Sequence, residues 1–335
     1  MSIEISKPSR LKQGDSVALV SPVNLPPKEY RADESIMLYL DSVGYKPLLF
    51  IASADTEKSR IDNFNNAINS GARALLPISG NRYGENLFHR LNYEAFEREK
   101  PIYCTFSAAS ALLLALHFRT GVTTFYGPHI SFIHTQATFR ENNFTVSSFW
   151  DTLTGRYEDV IRNLYSLPET PSDGENIPFV GINESQSRNI IASGRLLPVF
   201  LQSLEKAINK GVEVDFENHI LVVESDEIGF ERALEIIKRI KDKGNIQDSS
   251  AVILASFITH KKNPPNLELQ KQLYDSREVG KFRNSVADTL GGNVPVIYGF
   301  PMGHLKYKLT VPMGVEATVD LESGDIKLEE SLFSD

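Results

Sequence analysis

A layered α/β fold built on parallel strands, in two domains, is what this sequence predicts, on three features. Short apolar runs alternate with helical stretches along the first half. A Pro-, Ser-, Asp- and Gly-rich stretch, SLPETPSDGENIP, divides the chain near its middle. The 335 residues suffice for roughly two domains at about 150 residues each. Strands separated by helices pair in parallel, because each crossover returns the chain to the same end of the sheet.

The elements follow in order. Val17–Ser21 (VALVS) reads as a buried strand, Ser35–Val43 as a helix and Pro47–Ile51 as the next strand. Arg60–Ser70 is a polar helix, Ala74–Ile78 a strand and Asn86–Leu91 a short helix. Ile102–Phe106 is a strand that runs straight into an apolar helix, Ala108–His117. The punctuated stretch then sets the boundary: residues 1–165 form an N-terminal domain, 166–186 a linker and 187–335 a C-terminal domain. The second half opens at Gly194–Lys210 with a short strand or turn and a helix, and Ile220–Val223 is a strand. Phe230, Leu234, Ile237 and Ile240 recur at spacings of 3 and 4, which predicts an amphipathic helix over Glu227–Lys243 with Gly244 as its cap. Ala251–Ala255 and Val294–Tyr298 are strands, and Glu322–Asp325 turns a hairpin between Val315–Leu321 and Ile326–Leu328.

Composition removes several function classes. Hydrophobic residues are 41% and charged residues 23%, as in an ordinary globular chain. The net charge is −8, so no general attraction to nucleic acid or an anionic membrane is expected. One cysteine, Cys104, excludes an internal disulfide and a cysteine-rich zinc site, and no histidine pair has metalloprotease spacing. No metal and no cofactor are expected. The first residues carry no apolar signal core, and no apolar run reaches about 18 residues, so the expectation is a cytoplasmic protein.

Three polar residues each follow an apolar strand, where sites on α/β sheets gather. Ser107 ends PIYCTF and opens the helix SAASALLLALHF; Glu224 ends ILVV; His304 lies in the PMGH loop after VPVIYGF. A hydroxyl, a carboxylate and an imidazole are the parts of a nucleophile, orienter and base. Each also has a plainer reading. Ser107 suits a helix N-cap. Asp226 and Glu227, with Glu224, form an acidic cluster that suits a solvated helix N-terminus. His304 is one of seven histidines. Ser79-Gly80-Asn81-Arg82-Tyr83-Gly84 follows a strand but lacks the glycines and lysine of a phosphate loop. Trp150 reads as a core or lid anchor, and Lys261-Lys262 as a solvated loop.

Taken together, these segments resemble the LD-carboxypeptidase family of serine peptidases, which includes the microcin C immunity proteins. The resemblance runs nearly end to end: LKQGDSVALVSP, ALLPISGNRYGENLFHRLNY, KPIYCTFSAASALLLALHFRTGVTTFYGP, HILVVESDE and VPVIYGFPMGHLKYKLTVPMGVEATVD. It implies a flavodoxin-like N-terminal parallel-sheet domain, a barrel-like C-terminal α/β domain, and a homodimer. It also implies Ser107 as nucleophile, His304 as general base and acid, Glu224 as the residue that orients the imidazole, and the N–H groups of Gly80 and Ala108 as an oxyanion hole. The implied substrate is a small peptide or peptidyl-nucleotide, cut at an amide near a free carboxylate. Several positions depart from the family pattern. Thr105 stands where glycine is usual and Ala108 where aspartate is usual. The usual glycine pair is Ser79-Gly80, and Pro198-Val199-Phe200-Leu201 replaces a glycine-rich, asparagine-containing segment. Ser225 stands where an acidic residue often follows the glutamate. These changes touch the surroundings of the three chemical residues, so two readings stand: an active serine amidase, or a catalytically impaired relative that binds a peptide- or nucleotide-like ligand. A generic nucleotide-binding protein is a third, without a phosphate-cradling motif. The loops 127–136, with His129 and His134, and 165–186 are expected to line the pocket.

Overall fold

Two sheets carry the chain. The structure, a computed structural model, describes residues 4–22, 33–51, 56–79, 87–139, 143–162, 179–181, 190–258 and 276–335. The first sheet takes β1 (Ser16–Val20), β2 (Lys46–Phe50), β3 (Ala74–Pro77), β4 (Ile102–Thr105) and β5 (Thr124–Tyr126). They run parallel in the order β2-β1-β3-β4-β5. Their crossovers include α1 (Asp33–Ser42), α2 (Glu57–Ile68), α3 (Tyr93–Glu99) and α4 (Ala111–Thr120). Helices covering the sheet explain why β3 and β4 are largely apolar and wholly buried. α4 is nearly apolar all round for the same reason, and Leu112–Leu116 are all buried. Of the short helix expected at Asn86–Leu91, Leu87 is 3-10 helical and Phe88–Arg90 form a turn, while Asn86 lies outside the described residues. The helix starts later, at Tyr93, because the Asn92 side chain accepts the Ala95 N–H at 3.0 Å and caps it there.

The second sheet is strongly curled into a half-barrel. It takes β6 (Val160–Ile161), β7 (Ile191–Phe200), β8 (His219–Asp226), β9 (Ala251–Ile258) and β10 (Val296–Tyr298). It also takes β12 (Glu316–Asp320) and β13 (Ile326–Leu328), in the order β10-β9-β8-β7-β12-β13-β6. The first four in that order are parallel; the last three are antiparallel, and β12–β13 is the hairpin expected around Glu322–Asp325. β7 corrects the expectation of a short strand or turn at Gly194, for it is ten residues long. A β-carbon at residue 194 would lie 2.4 Å from the Asn218 carbonyl oxygen, so glycine permits a close strand approach that reads as a turn in sequence. α7 (Leu201–Asn209), α8 (Phe230–Lys243) and α9 (Ser276–Thr289) pack along this sheet. α8 buries Ala233, Ile236, Ile237 and Ile240. It begins three residues after the expected start, since Glu227 is left-handed at φ 60° and turns the chain out of β8. Gly244 is extended at φ −150°, so the helix ends without a left-handed cap.

The halves of the sequence interleave. β6 lies before the stretch expected as linker yet pairs with β13, and β11 (Val311–Met313), late in the chain, pairs antiparallel with β5. Most of the expected linker lies outside the described residues, as does Lys261-Lys262. α5 (Ile130–Phe139) and α6 (Asn143–Thr154) follow β5. Trp150, on α6, is a core residue: it stacks on Tyr45 at 5.1 Å and its Nε1–H donates to Tyr39 Oη at 2.9 Å. Among the described residues no helix is long and apolar enough to cross a membrane.

Candidate active site

The site starts at the end of β4. Phe106 is extended, and Ser107 then adopts φ 60°, a left-handed backbone that costs a non-glycine residue about 1–3 kcal/mol. The chain enters a single 3-10 turn, Ser107–Ser110, before α4. Small neighbours, Ala108 and Ala109, leave room for that sharp turn, and both are buried. The elbow is held from three sides. The Ser107 N–H donates to Tyr126 Oη at 3.3 Å, and its carbonyl accepts from Ser110 Oγ at 2.6 Å and from Ser203 Oγ of α7 at 3.2 Å. The Ser107 hydroxyl is not engaged as a cap: Phe106 occupies the cap position, and Ser107 Oγ lies 2.9 Å from His304 Nε2.

Glu224 sits where β8 shifts register against β9, between Val223 and Ser225, and its side chain is fully buried. His304 follows β10 in a loop pinned by Ser256 Oγ, which donates to the Met302 carbonyl at 3.1 Å. Its Nδ1 lies 3.1 and 3.0 Å from the two Glu224 oxygens. A carboxylate only accepts, so Nδ1 carries the proton and Nε2 is left to accept from the Ser107 hydroxyl. Gly303 makes that approach possible: it has φ 100°, and a β-carbon there would lie 2.5 Å from Glu224 Cγ and Cδ. The rings of Phe106 and Phe200 flank the imidazole at 5.1 and 5.3 Å. Thus Ser107, His304 and Glu224, from three distant segments, form one continuous hydrogen-bonded chain.

Burial works against a charged His304, but the charge and hydrogen bond of Glu224, with Asp226 adding and Lys308 opposing, hold its pKa above the ordinary value. Asp226 corrects its expected place on a solvated helix end. It is the last residue of β8, its side chain is 15% exposed, and its Oδ2 lies 3.7 Å from His304 Nε2. Tyr126 was not apparent as a site residue; its Oη donates to Glu224 Oε1 at 2.5 Å. The available signal was its position at the end of a strand beside β4, in TTFYGP. Gly303 was equally silent, since a Pro/Gly-rich loop gives no reason to favour one glycine over another.

The altered positions have local explanations. The Thr105 hydroxyl lies 3.0 Å from His129 Nε2, so its side chain is engaged with that ring. His129 is held neutral, its pKa pushed down to about 3 by burial and then by His304 and Lys308. The stretch expected as loop 127–136 is mostly α5; His129 packs on Phe106 and His134 on the edge of Tyr39. Pro198 and Phe200 end β7, and Phe200 packs against the imidazole rather than supplying a polar group. Ala108 lies in the first turn after the elbow; Gly80 lies outside the described residues. Among the described residues no group of acidic, histidine or cysteine side chains is arranged to hold a metal. A groove of about 1250 Å³ opens around Arg195, Asp215 and His219 at the far end of β8 and touches none of the three.

Known proteins match this architecture. Residues 17–127 match the family model for the LD-carboxypeptidase N-terminal domain, and residues 193–319 match that for the C-terminal domain. A Vibrio cholerae protein provisionally named a carboxypeptidase is 25% identical over 293 residues, 82% of this chain and 80% of its own. The structure of an MccF-like protein from Bacillus anthracis shares the fold with a TM-score of 0.72 at 18% identity, over 96% of this chain and 98% of that one. MccF in complex with glutamyl sulfamoyl guanosine gives 0.70 at 21% identity, over 98% and 99%.

Proposed function

Because the chain belongs to the LD-carboxypeptidase family, we propose that it is a serine hydrolase that cleaves an amide bond in a small peptide or peptidyl-nucleotide. One observation carries the reading: the unbroken contact from Ser107 Oγ through His304 to Glu224. His304 Nε2 takes the Ser107 proton as Oγ attacks the scissile carbonyl. The imidazolium so formed faces Glu224 and Asp226, which stabilise its charge. The oxygen of the tetrahedral intermediate turns toward the Ala108 N–H, and toward Gly80 as the family pattern implies; one such donor contributes about 3 kcal/mol. His304 then gives its proton to the leaving nitrogen, the C–N bond breaks, and an acyl-Ser107 ester remains. Water, deprotonated by the same Nε2, hydrolyses that ester and restores the hydroxyl.

Two substrate classes belong in the test: LD-peptides ending in a free carboxylate, as the family name implies, and aminoacyl-sulfamoyl nucleotides, one of which MccF binds. Wild type is expected to turn over at least one member and Ser107→Ala none. Equal turnover by both removes Ser107 as nucleophile. Phe200, packed on the imidazole where the family pattern has a polar side chain, favours one competing reading, a ligand-binding protein without turnover. Saturable binding with no cleavage of any panel member selects that reading. The homodimer is part of the same proposal, and sedimentation velocity reads it.

A further inference from the structure

A single buried hydroxyl touches both the carboxylate and the backbone of the elbow. Tyr126 Oη donates to Glu224 Oε1 at 2.5 Å and accepts the Ser107 N–H at 3.3 Å. Tyr126 ends β5 in the first sheet, whereas Glu224 lies on β8 in the second, so this pair of bonds spans the two sheets. We propose that Tyr126 is a positioning residue: its hydroxyl locks the Ser107 elbow and the Glu224 carboxylate into one register and moderates the pull of that carboxylate on His304. The inference rests on the hydrolase reading given above.

Three features support it. Tyr126 and Glu224 are both fully buried, so water does not replace the phenol cheaply if it is lost. Burial, then the Glu224 charge, raise the Tyr126 pKa well above its ordinary value, so the hydroxyl stays protonated and remains a donor. The carboxylate has room for both partners. Oε1 accepts from Tyr126 and also lies 3.1 Å from His304 Nδ1, while Oε2 lies 3.0 Å from the same nitrogen, so the phenol does not displace the imidazole. With the Ser107 N–H occupied by Tyr126, the oxyanion donor at the elbow falls to Ala108.

The electrostatic sign follows. A donor on Glu224 disperses its negative charge. Without that donor the Glu224–His304 pair holds its proton more tightly, and the macroscopic pKa of the pair rises. The other groups facing His304 are Asp226 from β8, Lys308 from the segment that follows it and His129 from the turn before α5, and all stay in place in the variants below.

The test is an NMR titration of the His304 imidazole in the full chain, for wild type, Tyr126→Phe and Tyr126→3-fluorotyrosine, beside the pH profile of kcat/KM. Tyr126→Phe is expected to raise the His304 pKa and carry the acid limb of the profile upward with it. Its plateau kcat should fall roughly ten- to a hundredfold, the factor carried by a hydrogen bond to a charged group, with KM little changed. The fluorinated ring, a stronger donor of the same shape, is expected to move the titration the opposite way. A tyrosine that merely filled space would lower thermal stability and leave titration and limb where they were; that result overturns the proposal. The fluorinated variant decides the matter if Tyr126→Phe does not fold. The NMR arm needs no turnover. A wild type that cleaves nothing therefore removes the hydrolase reading, while the titration still decides what Tyr126 does to the pair.

Discussion

Gly303→Ala would insert a methyl group into the Glu224 carboxylate. The added carbon would lie 2.5 Å from Glu224 Cγ and Cδ, whereas ordinary contact begins near 3.4 Å, so something must give by about 0.9 Å. Glu224 is poorly placed to yield, being fully buried and held by Tyr126 and His304. A misplacement of about 1 Å costs on the order of a hundredfold in rate. The left-handed backbone at residue 303 adds about 1–2 kcal/mol of strain in alanine. Unfolding entropy of about 2.1 cal/mol/K per residue gives this 335-residue chain about 0.7 kcal/mol/K, so that strain lowers Tm by only about 1–3 °C. Initial rates on a substrate from the panel, with calorimetry beside them, should therefore show kcat/KM down about a hundredfold in a protein that melts nearly normally. A folded variant within about threefold of wild-type kcat/KM would refute the claim that Glu224 works through its present position.

Two further predictions concern charge. Asp226→Asn removes a carboxylate 3.7 Å from His304 Nε2, so the raised His304 pKa should fall and the acid limb of kcat/KM should move to lower pH. A limb that stays or rises contradicts the assignment. His117 is fully buried and its pKa is lowered to about 4, by burial first. The unfolded chain binds that proton first as pH falls, so the stability from neutral His117 is full above about 6.5 and drains away toward about 4, by at most about 1.4 kcal/mol per pH unit. Urea denaturation at several pH values should show that slope, shallower in His117→Gln; identical slopes would count against it.

What could be read from the sequence was whatever a local pattern encodes. The buried strands β3 and β4 announce themselves as apolar runs, and the periodic Phe230, Leu234, Ile237 and Ile240 give α8 its apolar face. Ser107, Glu224 and His304 stood out because each is a polar residue that comes after an apolar run, although Glu224 itself still belongs to β8. β7 was hidden because Gly194 and Pro198 look like breakers, and only the neighbouring strand reveals why a glycine is needed there. Asp226 and Tyr126 were hidden for another reason. Their roles arise from contacts 78 and 98 residues away in the chain, which no local pattern reports. β11 likewise pairs with a strand nearly two hundred residues earlier.

That last pairing bears on how a ligand reaches the serine. The imidazole rides on a segment whose one end is rooted in the half-barrel at β10 and whose other end is stitched into the parallel sheet at β11. Prising the two layers apart like a clamshell would tear that stitch and drag the base off its hydroxyl. Ser107 is only half-buried and the His304 side chain is 18% exposed, so a ligand can reach the pair without the layers parting. The framework that holds the base over its hydroxyl is thus tied into both sheets at once.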